Sequence, residues 1–293
     1  MDRLRIGLAT SVIKTESDPD EELQLEAFAS AGHDVGMVAW DDQGADVSRY
    51  DVVVLRSTWN YPLDPAGFLD WCERVDQVST LVNPLPAVRW NIDKVYLSEL
   101  KAHGIATVPT VYFERGQPTE VSKLVRDWGA IVVKPRVSAG SLYTERFEVG
   151  EEASGQAFLD KMVAERHMMV QPYLRGVETF LEHSLVVIGD TATHVIAKQP
   201  RFAEDEESVG ESMVPTEFER TIVADVLAAL PFPVSYARID LMPDEDGNPL
   251  VSEVELIEPS LFFAQCREAL PRFVSEVTRF VHDRRSYHDP RTR

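Results

Sequence analysis

The 293-residue sequence predicts a protein of the α/β (α+β) class, with an open α/β sheet near the N-terminus and a polar β-hairpin near the C-terminus. Three observations predict this class. Short apolar runs alternate with stretches of helical periodicity through the first hundred residues. Residues 52–55 are continuously apolar, which is typical of a buried strand in a parallel sheet. Residues 244–248 form a strong turn signal between two strands of alternating polarity.

The first hundred residues contain the elements of an open sheet. Strands are predicted at 4–9, 33–40 and 51–55, and helices at 21–31, 65–75 and 92–103. Gly32 and Gly104 directly follow two of these helices and are C-cap signals. Parallel strands connected by helices form a sheet that binds ligands at the carboxyl ends of its strands.

A second unit begins near Val108. Its predicted strands are 108–113, 130–135 and 168–174, and its predicted helices are 121–128 and 155–166. The rest of the chain is predicted to form strands at 185–188, 194–198, 235–242 and 250–257, with helices at 217–230 and 264–279. The acidic run at 204–207 is interpreted as a solvated surface loop.

Composition restricts the class of function. The 49 acidic and 29 basic residues give a net charge of −20, which argues against the nucleic-acid backbone as a partner. Cys72 and Cys266 are isolated, which argues against a thiolate zinc site and suits a reducing compartment. No apolar run approaches the length of a signal-peptide core or a membrane span. We therefore expect a soluble cytoplasmic protein without nucleic-acid or membrane partners.

The hairpin carries the most informative polar pattern. Arg238 and Asp240 share one face of the first strand, and Glu253 and Glu255 share one face of the second. If these faces coincide, three carboxylates and a guanidinium converge, and carboxylates at that range need a cation to stay ionised. Such hard oxygen ligands suit Mg²⁺. The alternative is a solvated hairpin in which Arg238 pairs with a glutamate.

Three of the seven lysines lie at the ends of predicted elements. Lys134 and Lys198 end apolar strands, and Lys94 lies in the first turn of the predicted helix 92–103. The segment 138–141 after the first of these strands has backbone amides free to approach an anion. Each lysine alone is an ordinary surface cation. Together, cations around a polyphosphate and carboxylates that hold Mg²⁺ are the parts that phosphoryl transfer requires.

In this order, the motifs resemble the ATP-grasp superfamily over nearly the whole chain. The resemblance implies a pre-ATP-grasp α/β domain at 1–107, a small lid domain at 108–175 and a large C-terminal ATP-grasp domain with the metal hairpin at 176–293. It also implies ATP as a cofactor, bound by two phosphate lysines, a phosphate-covering loop, a hinge that reads the adenine edge, a ribose-binding acid and one further phosphate contact. The two phosphate lysines are Lys94 and Lys134, and the further phosphate contact is Lys198. The phosphate-covering loop consists of Ser138, Ala139, Gly140 and Ser141. The hinge consists of Gln171, Pro172, Tyr173 and Leu174, and the ribose-binding acid is Glu178.

The hairpin resembles the family's metal site with one departure. Arg238 and Asp240 match its Arg-x-Asp motif, whereas Glu253 and Glu255 stand where the family has Glu-x-Asn. The resemblance implies Mg²⁺ as a second cofactor, with Asp240, Glu253 and Glu255 as its ligands.

The segments 54–61, 83–84 and 255–261 are more narrowly similar to a bacterial subgroup that includes the O-ureido-D-serine cyclo-ligase of D-cycloserine biosynthesis. The similarity implies an ATP-dependent carboxylate–amine ligase that works through an acylphosphate and cyclises O-ureido-D-serine to D-cycloserine. An intermolecular amino-acid (dipeptide-type) ligase and a non-catalytic ATP-binding sensor module are the alternatives. The partner would be a small amino-acid-like substrate, and a homo-oligomer stays open. The residues that would act in catalysis are Arg238, Lys198 and Ser138.

Substrate recognition is predicted at the carboxyl edge of the first sheet. Arg56 follows a predicted strand there and would hold an amino-acid carboxylate, with the aromatic side chains of the same segment as pocket walls. The alternative is that this segment only packs. The predicted substrate-binding residues are Arg56, Ser57, Thr58, Trp59, Asn60, Tyr61, Glu258 and Ser260.

Overall fold

The computed structural model describes residues 3–14, 16–199 and 209–288, so the predicted acidic loop at 204–207 lies outside the described residues. Within these ranges the chain forms two four-stranded sheets and one five-stranded sheet. The first sheet is parallel and the other two are antiparallel, which confirms the mixed α/β prediction. No helix in the described ranges has both the length and the apolarity that a membrane crossing needs.

The first sheet is built from the N-terminal strands. These are β1 (Arg5–Thr10), β2 (Asp34–Ala39), β3 (Val52–Ser57) and β4 (Thr80–Val82). The accompanying helices are α1 (Glu21–Ser30), α2 (Pro65–Val78), α3 (Leu85–Asn91) and α4 (Tyr96–Ala102). The strand order is β2-β1-β3-β4, and the continuous apolar run of β3 is buried at the centre.

Two predictions for this region are corrected by the structure. The predicted helix 92–103 is replaced by α3 and α4, and Lys94 lies in the turn between them. Strand β3 continues through Arg56 and Ser57, so both residues lie within the strand and are buried. The unpredicted β4 has only three residues, too few for a periodic pattern to reveal a strand.

The second sheet is small and is covered by two helices. Its strands are β5 (Val111–Phe113), β6 (Ile131–Pro135), β7 (Glu145–Phe147) and β8 (Met168–Pro172), in the order β5-β8-β6-β7. The helices α5 (Val121–Trp128) and α6 (Glu152–Val163) bury Val125 and Leu159 in a core with Ile131 and Val133 of β6. Lys134 therefore extends from a strand whose apolar residues face this core.

The third sheet carries the hairpin at one edge. Its strands are β9 (Glu182–Ile188), β10 (Thr191–Lys198), β11 (Val209–Met213), β12 (Tyr236–Pro243) and β13 (Pro249–Glu255), in the order β11-β10-β9-β12-β13. The helices of this part are α7 (Val177–Phe180), α8 (Glu217–Ala229) and α9 (Leu270–His288). Thr216 caps α8, and its hydroxyl accepts a hydrogen bond from the Glu219 backbone N–H in a capping box.

The first and third sheets share one hydrophobic core, because α9 packs against elements of both. The ring of Phe273 in α9 lies 5.7 Å from that of Phe28 in α1 and 5.8 Å from that of Tyr236 in β12. The Asn83 side-chain amide donates to the carbonyl oxygens of Tyr236 and Leu256, both at 2.8 Å. The N-terminal sheet is thus held against the hairpin. The predicted domain boundaries after residues 107 and 175 stay a proposal.

Candidate active site

A cavity lies between the second and third sheets, and we name it the central cavity. Fifteen of the predicted site residues line it: Lys94, Lys134, Ser138, Ala139, Gly140, Ser141, Gln171, Pro172, Tyr173, Leu174, Lys198, Arg238, Asp240, Glu253 and Glu255. Its other lining residues, which sequence reasoning missed, are Val108, Val132, Thr144, Val177, Glu182, Gln199, Met242 and Ser252. Four of these eight, Val108, Val132, Val177 and Met242, are apolar, and the sequence pattern of an apolar side chain does not separate a cavity wall from a core.

Two of the three lysines in the central cavity are held by acidic side chains. Lys94 Nζ lies 3.0 Å from Glu253 Oε1 and donates to the Ser138 carbonyl oxygen at 2.8 Å. Lys198 Nζ lies 3.5 Å from Glu182 Oε1 across the β9–β10 ladder. Glu182 stands three residues before the predicted start of its strand, so the sequence pattern did not place it opposite Lys198.

Lys134 is different from these two lysines. In the described residues, its Nζ makes no hydrogen bond and no ion pair. Burial lowers the pKa of this ammonium group, and nearby acids, with Glu253 the strongest, oppose the shift. A buried ammonium group without a partner is stabilised by an incoming anion. The position therefore suits a phosphate group.

The hairpin brings its polar residues to one face. Arg238 lies opposite Glu255 in the ladder, and Asp240 lies opposite Glu253. Arg238 Nη2 is 2.8 Å from Asp240 Oδ2 and 2.5 Å from Glu255 Oε1. Ser184 Oγ on the neighbouring strand donates to Asp240 at 2.6 Å. The two polar faces therefore coincide, which is the condition on which the magnesium interpretation depended, and Arg238 also pairs with a glutamate, as the alternative expected.

The hairpin acids differ in their protonation. Burial disfavours the ionised form of Asp240, but the Arg238 guanidinium outweighs burial and holds the pKa of Asp240 at about 2. Burial raises the pKa of Glu255 to about 8, since Arg238 offsets it only in part and Glu253 repels a second negative charge. A carboxyl group in this situation becomes ionised when a further cation binds beside it.

These acids fit Mg²⁺ only as part of a mixed ligand set. Within residues 3–14, 16–199 and 209–288, no group of three or more His, Cys, Asp and Glu side chains could by itself hold a metal ion. Mg²⁺ binds through one or two protein carboxylates together with phosphate oxygens and water. Asp240, Glu253 and Glu255 are adjacent donors of the required chemistry.

The predicted hinge forms an apolar wall of the central cavity. The segment Gln171 to Leu174 begins with the last two residues of β8 and continues beyond it, where the Tyr173 backbone N–H donates to the Ala130 carbonyl at 2.8 Å. Val132 and Met242 also line the cavity, so the space beside the hinge suits a flat apolar ring.

Glu178 is the one predicted nucleotide-binding residue that does not line the central cavity. Its carboxylate lies 3.7 Å from the guanidinium groups of Arg146 and Arg175. Its role at the ribose stays a prediction.

A second cavity of about 340 Å³ opens beside the central cavity, and we name it the side cavity. Five of the predicted substrate-binding residues line it: Trp59, Asn60, Tyr61, Glu258 and Ser260. Residues that sequence reasoning missed are Glu16, Leu63, Asn91, Leu142 and Val254. The residues common to both cavities are Lys94, Ser138, Ala139, Gly140, Arg238, Glu253 and Glu255. A group bound in one cavity therefore lies next to a group bound in the other.

Arg56, Ser57 and Thr58 line neither cavity. The Arg56 side chain is only 1% exposed, its Nε donates to Gln24 Oε1 at 2.6 Å, and its guanidinium lies over the ring of Tyr236. For Arg56 the structure favours the packing alternative, because a side chain at the end of β3 is covered by α1 and α9.

Glu258 lies in the segment that follows the hairpin. The Trp59 indole Nε1 donates to its backbone carbonyl at 2.9 Å. Burial raises the pKa of Glu258 to about 7, with Lys94 as the main opposing charge. Its side chain is therefore poised between the protonated and ionised forms near neutral pH.

The sequence of this chain is similar to sequences of known proteins. Residues 6–83 match the family described as the N-terminal domain of D-cycloserine synthetase DcsG. The cycloserine biosynthesis protein DcsG of Streptomyces lavendulae is 32% identical over 296 residues, which cover 93% of this chain and 97% of that protein.

Solved structures of ATP-grasp proteins are similar to this chain in fold. The crystal structure of D-cycloserine synthetase DcsG is 30% identical, has a TM-score of 0.85, and the match covers 94% of this chain and 99% of that one. A RimK domain ATP-grasp protein from Sphaerobacter thermophilus DSM 20745 has a TM-score of 0.68 at 16% identity, covering 94% of this chain and 99% of that one. A D-alanine–D-alanine ligase from Bacillus anthracis has a TM-score of 0.69 at 15% identity, covering 97% of this chain and 99% of that one. These last two matches show the fold.

Proposed function

Because this chain belongs to the family of ATP-grasp ligases that contains D-cycloserine synthetase DcsG, we propose that it cyclises O-ureido-D-serine to D-cycloserine. It is an ATP-dependent ligase, so the non-catalytic sensor alternative is set aside. The observation that carries the proposal is that the central and side cavities have lining residues in common, which together we name the shared wall. A triphosphate in the central cavity and a small amino acid in the side cavity meet at Lys94, Arg238 and Glu253.

The lysines and the loop of the central cavity hold the triphosphate. Lys134 has no protein anion as a partner in the described chain, so its ammonium group is available to a phosphate oxygen. Lys94, Lys198 and Arg238 stabilise charge on the transferring phosphoryl group, and Ser138 covers it from the lid loop. The adenine ring packs against the hinge at Gln171 to Leu174. Such prearranged donors supply a large part of catalysis, and loss of one donor lowers turnover by roughly 10²–10³-fold.

Asp240, Glu253 and Glu255 would hold Mg²⁺ together with phosphate oxygens. The ion neutralises charge on the phosphates during transfer. Lys94 and Arg238 ion-pair with Glu253 and Glu255 in the structure, and a cation held by these acids would weaken both pairings. Lys94 and Arg238 would then be available to the phosphates and to the substrate carboxylate.

The reaction proceeds in two steps in this arrangement. The substrate carboxylate attacks the γ-phosphorus, which gives an acylphosphate and ADP. A nitrogen of the same substrate then attacks the acyl carbon and displaces inorganic phosphate. By atom balance, formation of D-cycloserine also requires one water molecule, which hydrolyses the bond between the ring nitrogen and the carbamoyl carbon and releases the carbamoyl group as ammonia and carbon dioxide. A dipeptide-type ligase instead needs two amino acids and releases no ammonia.

The test is an assay of ADP and ammonia with single and paired substrates. O-Ureido-D-serine alone should give equal amounts of ADP and ammonia, and excess chelator should abolish both products. ADP that forms only with pairs of amino acids would favour the dipeptide-type alternative, and no ADP with any of them would overturn ligase activity on this substrate class.

A matched pair of variants tests the metal assignment. Glu255→Ala should lose substrate-dependent ADP formation, whereas Glu245→Ala in the exposed hairpin turn should retain it. Unchanged turnover in Glu255→Ala would discard Glu255 as a metal ligand.

The remaining features of the proposal follow from this reaction. The side cavity of about 340 Å³ has the size of a small-molecule site, so the substrate is small and amino-acid-like. The dependence on ATP and the two isolated cysteines suit the cytoplasm. Sedimentation of the purified chain decides between a monomer and a homo-oligomer.

A further inference from the structure

We infer that Glu258 is the proton acceptor for the nucleophilic nitrogen in the second step of the reaction. This inference rests on the proposed function. It adds a role that the phosphate-binding and metal-binding residues do not supply. The attacking nitrogen carries a hydrogen, and this hydrogen must leave as the C–N bond forms.

The other acids of the shared wall are already engaged. Glu253 ion-pairs with Lys94 at 3.0 Å, and Glu255 ion-pairs with Arg238 at 2.5 Å. In the described part of the chain, no other residue hydrogen-bonds or ion-pairs with the Glu258 carboxylate, although the residue is only 7% exposed, and its own backbone N–H is the donor to it. An ionised carboxyl group accepts several hydrogen bonds, so Glu258 keeps acceptor capacity for a substrate N–H in the side cavity that it lines.

The position of Glu258 is set by its neighbours on the N-terminal sheet. The indole of Trp59 holds the Glu258 carbonyl at 2.9 Å, which leaves the side chain to face the cavity that both residues line. Tyr61 is buried beside it, and among charged groups Glu258 contributes most to the raised pKa of the Tyr61 phenol. Glu258 therefore lies beside Trp59 and Tyr61 in the side cavity, which the residues common to both cavities also line.

The charges around Glu258 come from the residues that hold the phosphate and the acyl group. Lys94 and Arg238 favour its ionised form, and Glu253 opposes it. Lys94 and Arg238 also line both cavities, so the cations that favour ionised Glu258 belong to the wall between the proposed phosphate and substrate sites.

The step balances with the groups present. The nitrogen lone pair forms the C–N bond to the acyl carbon, and the C–O bond to phosphate breaks with its electron pair on phosphate. The N–H proton passes to the Glu258 carboxylate and from there to solvent. No oxidant or further reactant is required.

The experiment separates the two steps with hydroxylamine. Hydroxylamine attacks an acylphosphate without help from a base, because it is largely unprotonated at neutral pH, and it gives a hydroxamate. Glu258→Gln keeps the size of the side chain and removes the proton acceptor. We expect it to lower ring closure of O-ureido-D-serine by roughly 10²–10⁴-fold, whereas hydroxamate formation stays within about threefold of the wild type.

Two outcomes overturn the inference. Ring closure at the wild-type rate in Glu258→Gln means that the carboxylate is not the acceptor. Equal loss of ring closure and hydroxamate means that Glu258 acts in substrate binding or in phosphoryl transfer. Failure of the proposed function looks different, since the wild-type protein would then form no hydroxamate and no ADP with this substrate.

A second variant keeps the test decisive if Glu258→Gln unfolds. Glu258→Ala opens space beside Trp59 and Tyr61. Added formate should restore part of the ring closure of O-ureido-D-serine by this variant without changing its hydroxamate formation. No restoration by formate in a folded Glu258→Ala protein contradicts the role. The exposed Glu217→Gln serves as the control and should retain full ring closure and hydroxamate formation.

Discussion

Asn91 offers the most direct test of how the N-terminal sheet positions the hairpin. Its side chain hydrogen-bonds to the outer edge of β13, beyond the point where Ala106 and Val108 pair with Val251. Nδ2 donates to the Val254 carbonyl at 2.6 Å, and Oδ1 accepts from the Leu256 N–H at 2.8 Å. These two backbone groups flank Glu255. Asn91 therefore fixes the backbone on both sides of a proposed metal ligand.

The magnitude follows from the burial of the three residues. Asn91 is 8% exposed, and Val254 and Leu256 are at most 1% exposed. Asn91→Ala leaves one buried carbonyl and one buried N–H without a partner, and each costs about 1–3 kcal/mol. We expect the free energy of unfolding to fall by about 2–4 kcal/mol, with a higher Mg²⁺ concentration at half-maximal ADP formation because Glu255 loses its fixed position.

Urea denaturation measures the first effect, and titration of Mg²⁺ measures the second. Asn248→Ala is the matched control, since that side chain bonds only to Asp244 in an exposed turn, and its loss should change stability by less than about 0.5 kcal/mol. A loss below about 1 kcal/mol in Asn91→Ala, with unchanged Mg²⁺ dependence, would refute the reasoning.

Three further predictions concern other parts of the chain. Lys134→Met should raise the KM for ATP and lower turnover by roughly 10²–10³-fold, whereas the exposed Lys123→Met should behave as wild type in the same ADP assay. Thr216→Ala removes the α8 cap and should reduce the free energy of unfolding by about 1 kcal/mol, and Thr221→Ala within the same helix should change it by less than half as much; urea curves compare the two. Burial lowers the pKa of His194 in the folded protein, so the stability that the neutral imidazole contributes is complete above the unfolded pKa of about 6.5 and falls as the pH drops below it. His194→Gln should therefore flatten the dependence of the free energy of unfolding on pH between about pH 5 and 7, measured by urea titrations. An unchanged slope would contradict this.

The hairpin could be predicted from sequence because its signals are local, whereas the hinge was assigned from the resemblance to a known superfamily. Alternation along β12 and β13 places Arg238, Asp240, Glu253 and Glu255 on common faces whatever the rest of the chain does. The resemblance to a known superfamily then assigned the lysines and the loop, and the central cavity brings them together. What these residues do in the reaction stays a proposal.

Other features depend on contacts between distant segments. Glu258 lies in the side cavity because Trp59, far away in sequence, holds its backbone. Arg56 is buried because α9, near the end of the chain, covers the first sheet and places Phe273 under its guanidinium. Glu182 faces Lys198 only through the register of β9 and β10.

Sequence alone therefore determined the fold class, the ordered set of cations and acids, and the family of reaction, because periodicity and motif order are properties of short stretches of chain. Tertiary structure decided which acids are paired with cations and that Glu258 lines the side cavity. Ion pairing and burial also depend on distances between side chains that lie far apart in the sequence, as for Lys94 and Glu253. Glu258 shows the same dependence, since Trp59 of the N-terminal part holds its backbone.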